Sequence, residues 1–483
     1  MGGRGGSLYC QSSDYLGKKP RFSFTFGNNF GIISLTKTAP KNNGRGRVEK
    51  VPNDIEQEGK AMQPVQQQED KTGQPVKRAE QDRQKAKRAA QKKKEERRER
   101  RAVRRHKRAW AFFRFLLTRF FVKRFNYSFD SLKEIEWPYL VLANHNMELD
   151  PALVGIAADK QLYFVASEHI MRKGLGTWFL RRYFNPIIHT KGKTGTQSVM
   201  GIIKKLKKGH NVCLFAEGNR SFNGLTGEIL PSTGKLARAA GASLVTFRIE
   251  GGFLTQPRFS TSIRKGQTYG HLVHVYKPEE LKAMTDEQMN EAINRDLYED
   301  AYAVQDEKRI AYKGKNLTLG IESTLFWCPA CKRMETLKST SDEVRCSACG
   351  FTASYDEYGY LNCSDGVTRN MRDWDKQQKE FLLGQFRDGT FEGFSDQVTV
   401  RIIGADHKVE ETKTGELRAT LEGVTFAGKH YTRADISGLA VYSRNYINTL
   451  FGPEEKQYDL RGDLGFNALK YYYLYRETGK ETE

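Results

Sequence analysis

The sequence predicts an α/β fold with a largely parallel sheet, followed by a small cysteine-containing module and a β-rich C-terminal domain. Three observations support this prediction. Between Pro138 and about Asn316, apolar strand-like runs alternate with helical runs, which is typical of a parallel sheet. Four of the seven cysteines stand in two C-x2-C pairs. After residue 390, short strand-like runs follow one another and end in one helical run, FNALKYYYLY.

The predicted strands of the α/β segment are YLVLA, QLYFVA, PIIHT, NVCLFAEG and SLVTFRIEGG, and the helical runs include VMGIIKKLKKG and TGKLARAAGA. Ligands in such folds bind beyond the carboxyl ends of the strands. Two polar clusters lie at strand ends, NHNMELD at 144–150 and FAEGNRS at 215–221. We therefore expect both clusters to line one cleft.

The first cluster places His145 five residues ahead of Asp150, and Pro151 favours a helix start with Asp150 near its N-cap. A carboxylate that is hydrogen-bonded to one ring nitrogen fixes the imidazole tautomer. The other nitrogen can then take a proton from a hydroxyl group. The alternative interpretation is a helix-capping aspartate beside an unrelated histidine.

The second cluster contains Glu217, Gly218 and Arg220 at the end of a later apolar strand. A guanidinium presents a rigid fork of donors to a phosphate, and a glycine lets a ligand approach the backbone. Glu217 would accept hydrogen bonds from a polyol or orient Arg220. The alternative interpretation is a buried Glu–Arg ion pair.

Together, NH-x4-D followed about 70 residues later by F-x-E-G-x-R-S resembles the glycerolipid acyltransferase family, over about residues 110–300. This family includes the 1-acyl-sn-glycerol-3-phosphate acyltransferases. The resemblance implies that His145 is the general base and Asp150 its partner. It also implies a substrate-binding set, to which we assign Asn144, Glu217, Gly218, Arg220 and Ser221.

The sequence departs from the family pattern at several positions. Met147 stands where the family usually has serine, Ala216 where it has proline, and Asn219 where it has threonine. Lys191 and Lys193 lie where the family places an arginine, and we add them as candidate phosphate ligands. A lysine binds phosphate as a point charge, with less directionality than arginine. SLVTFRIEGG replaces the later proline motif of the family.

The two C-x2-C pairs, Cys328/Cys331 and Cys346/Cys349, are separated by 14 residues. This spacing is close to that of a zinc ribbon, in which four thiolates fill a tetrahedral Zn²⁺ and make the site structural. A redox-active cysteine pair and a rubredoxin-type iron site are the alternatives. We expect structural Zn²⁺ and no catalytic cofactor.

The formal charge of +21 is concentrated in residues 77–108, which hold 17 Lys or Arg against 5 Asp or Glu. The next segment, AWAFFRFLLTRFFVKRF at 109–125, is too charged to span a bilayer but suits the membrane interface. Anionic lipid headgroups would attract the basic run. A solvated helix for the first segment, and a helix packed on its own domain for the second, are the alternatives.

These patterns divide the chain into six parts. We predict a disordered extension, basic and amphipathic membrane-surface helices, an acyltransferase domain, a zinc ribbon, a helical linker and a β-rich domain that resembles a pleckstrin-homology-like barrel with a C-terminal helix. Their predicted bounds are 1–74, 75–125, 126–318, 319–366, 367–389 and 390–483.

The predicted function is transfer of a fatty acyl group from acyl-CoA or acyl carrier protein to the free hydroxyl of a lysophospholipid. The expected acceptor is 1-acylglycerol 3-phosphate, giving phosphatidic acid in phospholipid biosynthesis. The sequence has no run of 18 apolar residues and no signal-peptide pattern, so we expect a cytoplasmic enzyme peripheral to the inner face of the membrane.

The sequence leaves two rival functions open. A basic zinc-ribbon protein that binds nucleic acid would explain residues 77–108 and the cysteines, but it assigns no role to the strand-end clusters. For that reason we do not expect nucleic acid as a partner. The second rival is a catalytically silent lipid-binding module.

Overall fold

The computed structural model describes residues 73–168, 175–189, 195–404, 408–452 and 456–478. The predicted extension therefore lies almost wholly outside the described residues, and so do Lys191 and Lys193. The chain divides into two units, 1–98 and 99–483. In the first unit, the described part is the beginning of helix α1 (Gly73–Phe125). The side chains of residues 83–98 in this part are exposed.

The second unit is built on a seven-stranded sheet. Its strands are β1 (Tyr127–Phe129), β2 (Tyr139–Ala143), β3 (Leu162–Ser167), β4 (Ile187–His189), β5 (Asn211–Phe215), β6 (Ser243–Glu250) and β7 (Thr268–Tyr276). They are ordered β1-β7-β6-β2-β5-β3-β4, and every neighbouring pair is parallel except β6 and β7. The predicted α/β class with a largely parallel sheet is confirmed.

Helices cover both faces of this sheet. After α1 come α2 (Asp150–Ala157), α3 (Leu175–Tyr183), α4 (Thr196–Lys207), α5 (Ser232–Ala239), α6 (Gly252–Thr255), α7 (Pro278–Ala283), α8 (Asp286–Leu297) and α9 (Ala301–Lys308). Successive side chains of a strand point to opposite faces. Accordingly, Val141 and Ala143 of β2 pack with α1 and α2, whereas Leu140 and Leu142 pack with α4, α5 and α8. The two hydrophobic cores fix the register of β2, which carries the first polar cluster at its end.

The aromatic segment of α1 has one group of buried side chains and one group of exposed side chains. Trp110, Phe121 and Phe125 are buried against the sheet, as expected for a helix packed on its own domain. Phe112 and Phe115 are more than half exposed, at 53% and 58%. Within the described residues, no helix is both long and apolar enough to cross a bilayer.

The module that carries the cysteine pairs contains a five-stranded sheet, ordered β12-β11-β10-β9-β8, in which every pairing is antiparallel. Its strands are β8 (Leu337–Ser339), β9 (Val344–Cys346), β10 (Thr352–Tyr355), β11 (Tyr360–Cys363) and β12 (Thr368–Asn370). The predicted helical linker corresponds to α10 (Met371–Arg387). Trp374 of α10 is fully buried, so this helix packs in the core and is not a solvated spacer.

The C-terminal domain is an antiparallel seven-stranded sheet with one terminal helix, as the alternating pattern predicts. Its strands are β13 (Phe394–Ile403), β14 (Val409–Ala419), β15 (Gly423–Phe426), β16 (Lys429–Thr432), β17 (Ile436–Tyr442), β18 (Tyr446–Phe451) and β19 (Lys456–Arg461), and the helix is α11 (Ala468–Thr478). One continuous hydrophobic core joins residues of this domain, such as Leu469, to α10 and the cysteine module.

Candidate active site

His145 and Asp150 form a hydrogen-bonded pair at the end of β2. The His145 Nδ1 atom lies 2.8 Å from Asp150 Oδ2. A carboxylate oxygen only accepts, so this contact places the proton on Nδ1 and makes Nε2 the basic nitrogen of the neutral ring. The His145 side chain is 21% exposed and Asp150 is fully buried, so a ligand can reach the imidazole while the carboxylate stays dry. The ring stacks on Phe215 at the end of β5, with centroids 4.5 Å apart.

Asp150 does not cap its helix as the sequence suggests. It is the first residue of α2, whose N-cap is Leu149 and makes no side-chain cap bond. Instead, Asp150 Oδ2 accepts the backbone N–H groups of Asn146 and Met147, at 2.6 and 2.9 Å. The oxygen atom that orients the His145 ring therefore also holds the loop that contains His145.

A buried polar network holds the other side of this loop. Asn144 exchanges two hydrogen bonds with the backbone of Ile249 in β6, and Asn146 also donates to the Ile249 carbonyl. Both amides donate to the carboxylate of Glu299, which in addition accepts the Gly251 N–H at 3.1 Å. Burial raises the pKa of Glu299 well above its usual value. Asn144 is therefore a buried residue that holds the loop in position.

Glu217 ties the two strand-end clusters together. One of its carboxylate oxygens accepts the His145 N–H at 2.6 Å, and the other accepts the Gly227 N–H at 2.5 Å. Ser221 adds a second link, because its N–H donates to the His145 carbonyl at 2.8 Å. Burial raises the pKa of Glu217 to about 8, although the two backbone donors oppose this shift. Both clusters thus line one site, as expected from their places at strand ends.

Arg220 pairs with a residue of the first cluster. Its guanidinium lies 3.3 Å from the carboxylate of Glu148, in the loop after His145, and only 9% of its side chain is exposed. Glu217 bonds to backbone groups, so the alternative of a Glu217–Arg220 ion pair is wrong. A guanidinium at this position, with one partly exposed carboxylate as partner, is suited to bind an anionic ligand.

Two further residues of the second cluster shape its backbone. Gly218 has φ +66°, and a Cβ atom there would meet nothing within 4 Å, so the backbone conformation rather than crowding favours glycine. The Ser221 hydroxyl donates to the Leu225 carbonyl and accepts the Gly224 N–H, which closes the turn after the cluster. The roles of these residues towards a substrate stay predictions.

The four predicted metal ligands lie together. All four sulfur atoms of Cys328, Cys331, Cys346 and Cys349 are within 4.8 Å of one another. The Cys328–Cys349 and Cys331–Cys346 sulfur pairs are 3.8 and 3.7 Å apart. These separations fit the edge of a tetrahedron around Zn²⁺, about 3.8 Å for Zn–S bonds of about 2.3 Å. The cluster can therefore hold a metal ion with four thiolate ligands.

Several residues of the site were not predicted from the sequence. Asn146 lies inside the first cluster, two residues after Asn144. Both asparagines donate to Glu299, and the repeated asparagine is visible in the sequence. Glu299 and Gln256, which accepts the Glu148 N–H at 3.2 Å, lie more than 100 residues away. No local sequence pattern distinguishes these two residues.

Comparison with known proteins finds a family match for the central part of the chain. Residues 124–250, which include both strand-end clusters, match the family model described as Acyltransferase. A solved structure, the 1-acyl-sn-glycerophosphate (LPA) acyltransferase PlsC from Thermotoga maritima, matches with 19% identity and a TM-score of 0.34. That match covers 41% of this chain and 80% of the other. A comparison with curated proteins finds no match.

The buried network predicts a large stability effect for Glu299→Ala. Removing this carboxylate leaves the buried amides of Asn144 and Asn146 and the Gly251 N–H short of an acceptor, at about 1–3 kcal/mol for each unsatisfied group. We expect the melting temperature to fall by about 5 °C or more. Thermal unfolding followed by circular dichroism measures this fall. Glu291→Ala, on the exposed face of α8, is the control and should change little; equal melting temperatures for the two variants would contradict the network's role.

Proposed function

We propose, from the match of residues 124–250 to the Acyltransferase family model, that the chain transfers a fatty acyl group from a thioester to the hydroxyl of a lysophospholipid. The proposed donor is acyl-CoA or acyl carrier protein, and the proposed acceptor is 1-acylglycerol 3-phosphate, which would give phosphatidic acid. The observation that carries the proposal is the 2.8 Å contact between the partly exposed His145 ring and the buried carboxylate of Asp150. The family model supports the reaction class.

In the proposed mechanism, His145 Nε2 takes the proton of the acceptor hydroxyl while the hydroxyl oxygen attacks the thioester carbonyl carbon. The C–S bond then breaks, and the imidazolium returns the proton to the departing thiolate. Asp150 stabilises the imidazolium and keeps the ring in the reactive tautomer. General-base action of this kind contributes about 10²- to 10⁴-fold in rate. No acyl-enzyme is needed, and Cys213 is fully buried in β5.

The acceptor would bind beside the second cluster. Arg220 is proposed to bind its phosphate, and the open backbone at Gly218 would allow close approach. Glu217 would act by holding His145 through the loop backbone, and Asn144 and Ser221 by shaping the same loops. Lys191 and Lys193, outside the described residues, remain proposed phosphate ligands.

We also propose that the enzyme works at the surface of an anionic membrane. Helix α1 exposes Phe112, Phe115 and Leu116 on one face, while its preceding turns carry the basic run. The neighbouring helix α3, joined to α1 through the Phe113–Phe179 contact, exposes Trp178 at 55%. Exposed aromatic residues beside basic residues are typical of interfacial helices. Because Trp110 is buried in the domain, insertion would proceed through Phe112, Phe115 and Leu116 instead.

The cysteine cluster is proposed to bind one structural Zn²⁺. Four sulfur ligands leave no open position for water or substrate, so the ion would stabilise the module and take no part in catalysis. Cys328 and Cys346 are buried in the core that also holds Trp374 of α10. Metal binding would therefore support the packing of the module against its neighbours.

Replacing His145 tests the proposed mechanism. His145→Ala should lower acyl transfer by about 10²- to 10⁴-fold, because it removes the base at the acceptor hydroxyl. The rate is measured as thiol released from acyl-CoA in the presence of lysophosphatidic acid. His430→Ala, on the exposed face of the C-terminal domain, should retain wild-type activity. A loss of less than tenfold for His145→Ala would contradict the assignment, and an inactive wild type would favour the silent lipid-binding module.

Metal analysis tests the zinc site. Purified protein should contain one Zn²⁺ per chain, and Cys346→Ser should lose the ion and unfold at a lower temperature because a ligand is missing. Cys363→Ser removes a cysteine of the same module outside the cluster and should keep both the zinc and the melting temperature. Bound iron in place of zinc, or a disulfide between Cys328 and Cys331, would show that the assignment is wrong.

Vesicle binding tests the membrane surface. The double variant Phe115→Ser/Leu116→Ser should bind anionic vesicles several-fold more weakly, because it removes apolar area that would enter the interface. Val409→Ser, an exposed apolar residue of β14, is the control and should bind like the wild type. Co-sedimentation with the vesicles, at low and at high salt, measures the affinity of each protein. Equal binding by all three proteins would rule out this face as the attachment site.

A further inference from the structure

The C-terminal domain contacts the acceptor side of the active site through Arg258. This arginine is 4% exposed and donates to three backbone carbonyls. One belongs to Arg220, at 2.7 Å, and the other two belong to Ser443 and Val441 of the C-terminal domain, at 2.8 and 2.9 Å. One rigid guanidinium therefore fixes the turn between β17 and β18 next to the second cluster.

A second contact fixes the loop after Arg220. Asn223 donates to the carboxylate of Asp375 in α10 at 2.8 Å, and the Tyr473 hydroxyl of α11 donates to the same oxygen at 2.7 Å. Asp375 is buried, and its burial raises its pKa. The acyltransferase loop is thus attached to both helices that border the C-terminal sheet.

The turn places Arg444 in a defined position. Ser443, just before it, has φ +54° and accepts from Arg258. Asn445, just after it, is buried and donates to the carbonyls of Gly462 and Asp463. Because both neighbours are held by the protein, the backbone of Arg444 is fixed beside the acceptor side of the cleft.

The charges around Arg444 are unbalanced. Its side chain is partly buried, and in the part of the chain that the structure describes no carboxylate lies within ion-pair distance of it. Burial lowers the pKa of Arg444, the carboxylate of Glu148 raises it, and the charges of Arg220 and Arg461 lower it further. Glu148 already pairs with Arg220 at 3.3 Å. Glu148 therefore acts on Arg444 only at longer range, while its ion pair is with Arg220.

Arg220 and Arg444 are both at least partly buried, and Arg258 binds the carbonyl of Arg220 and that of Ser443, the neighbour of Arg444. Partly desolvated guanidinium groups held in this way favour an anion with several acceptor oxygens, and a phosphate monoester offers three. We propose that Arg444 of the C-terminal domain binds the phosphate of the acceptor jointly with Arg220. This inference rests on the proposed function and adds a specificity role for the C-terminal domain. The domain would make the enzyme select a phosphorylated acceptor over a neutral one.

Steady-state kinetics on the full chain tests the inference. Arg444→Ala should raise the KM for lysophosphatidic acid by about tenfold or more, because it removes a charge-assisted contact. The kcat and the KM for acyl-CoA should change less than twofold, and Arg444→Lys should restore part of the acceptor affinity. Arg418→Ala, an exposed arginine of β14, is the matched control and should match the wild type. An unchanged acceptor KM in Arg444→Ala would overturn the proposal.

Two further measurements distinguish acceptor binding from other causes of a changed KM. An equal rise in the KM for acyl-CoA would assign Arg444 to the donor phosphates and overturn the acceptor role. Calorimetric titration with glycerol 3-phosphate decides the matter without catalysis, and so remains informative even if the wild type transfers no acyl group. Binding that is at least tenfold weaker in Arg444→Ala than in the wild type and Arg418→Ala supports the proposal. No wild-type binding, or equal binding by all three proteins, overturns it.

Discussion

The geometry of the candidate active site depends on the buried carboxylate of Asp150. A single oxygen of this group accepts the His145 ring N–H and two backbone N–H groups of the following loop. A fully buried carboxylate is costly unless donors surround it, and here the donors belong to the loop that must be ordered. The same interactions therefore stabilise the charge, hold the loop in its conformation and orient the His145 ring. Removing the carboxylate would disturb all three at once.

The sheet explains why the remaining groups converge on this loop. β2 lies between β5 and β6, so the loop after β2 has a strand end on each side. From the β5 side, Glu217 holds the His145 backbone, and from the β6 side, Ile249 and Gly251 take part in the network of Asn144, Asn146 and Glu299. Parallel strands bring these ends to one edge, which is why residues distant in sequence meet there.

Local sequence patterns were sufficient for some of these features. An apolar run that ends in a polar cluster is visible in the sequence, so the strand ends at His145 and Glu217 were predictable. The cysteine spacing was equally informative, because metal geometry restricts the number of residues between ligands. It was not predictable that Asp150 would accept hydrogen bonds from the loop instead of capping the helix, because a proline at the next position also favours a helix cap.

Contacts between distant segments were not predictable from local patterns. Glu299 and Arg258 are ordinary charged residues in the sequence, and only the packing of separate segments brings them to the site. The aromatic segment of α1 shows the same limit. Its composition fits an interfacial helix and a packed helix equally well, and the structure assigns Trp110 and Phe121 to the core while Phe115 faces outwards.

In the proposed mechanism, a hydroxyl activated by His145 takes the acyl group directly, without a covalent acyl-enzyme. The most direct measurement is thiol release from a long-chain acyl-CoA by the wild type, with and without lysophosphatidic acid, combined with mass spectrometry of the intact protein. Direct transfer predicts thiol release only when the acceptor is present, one phosphatidic acid per thiol, and an unmodified protein mass throughout. A burst of thiol without acceptor, accompanied by an acylated protein, would contradict it.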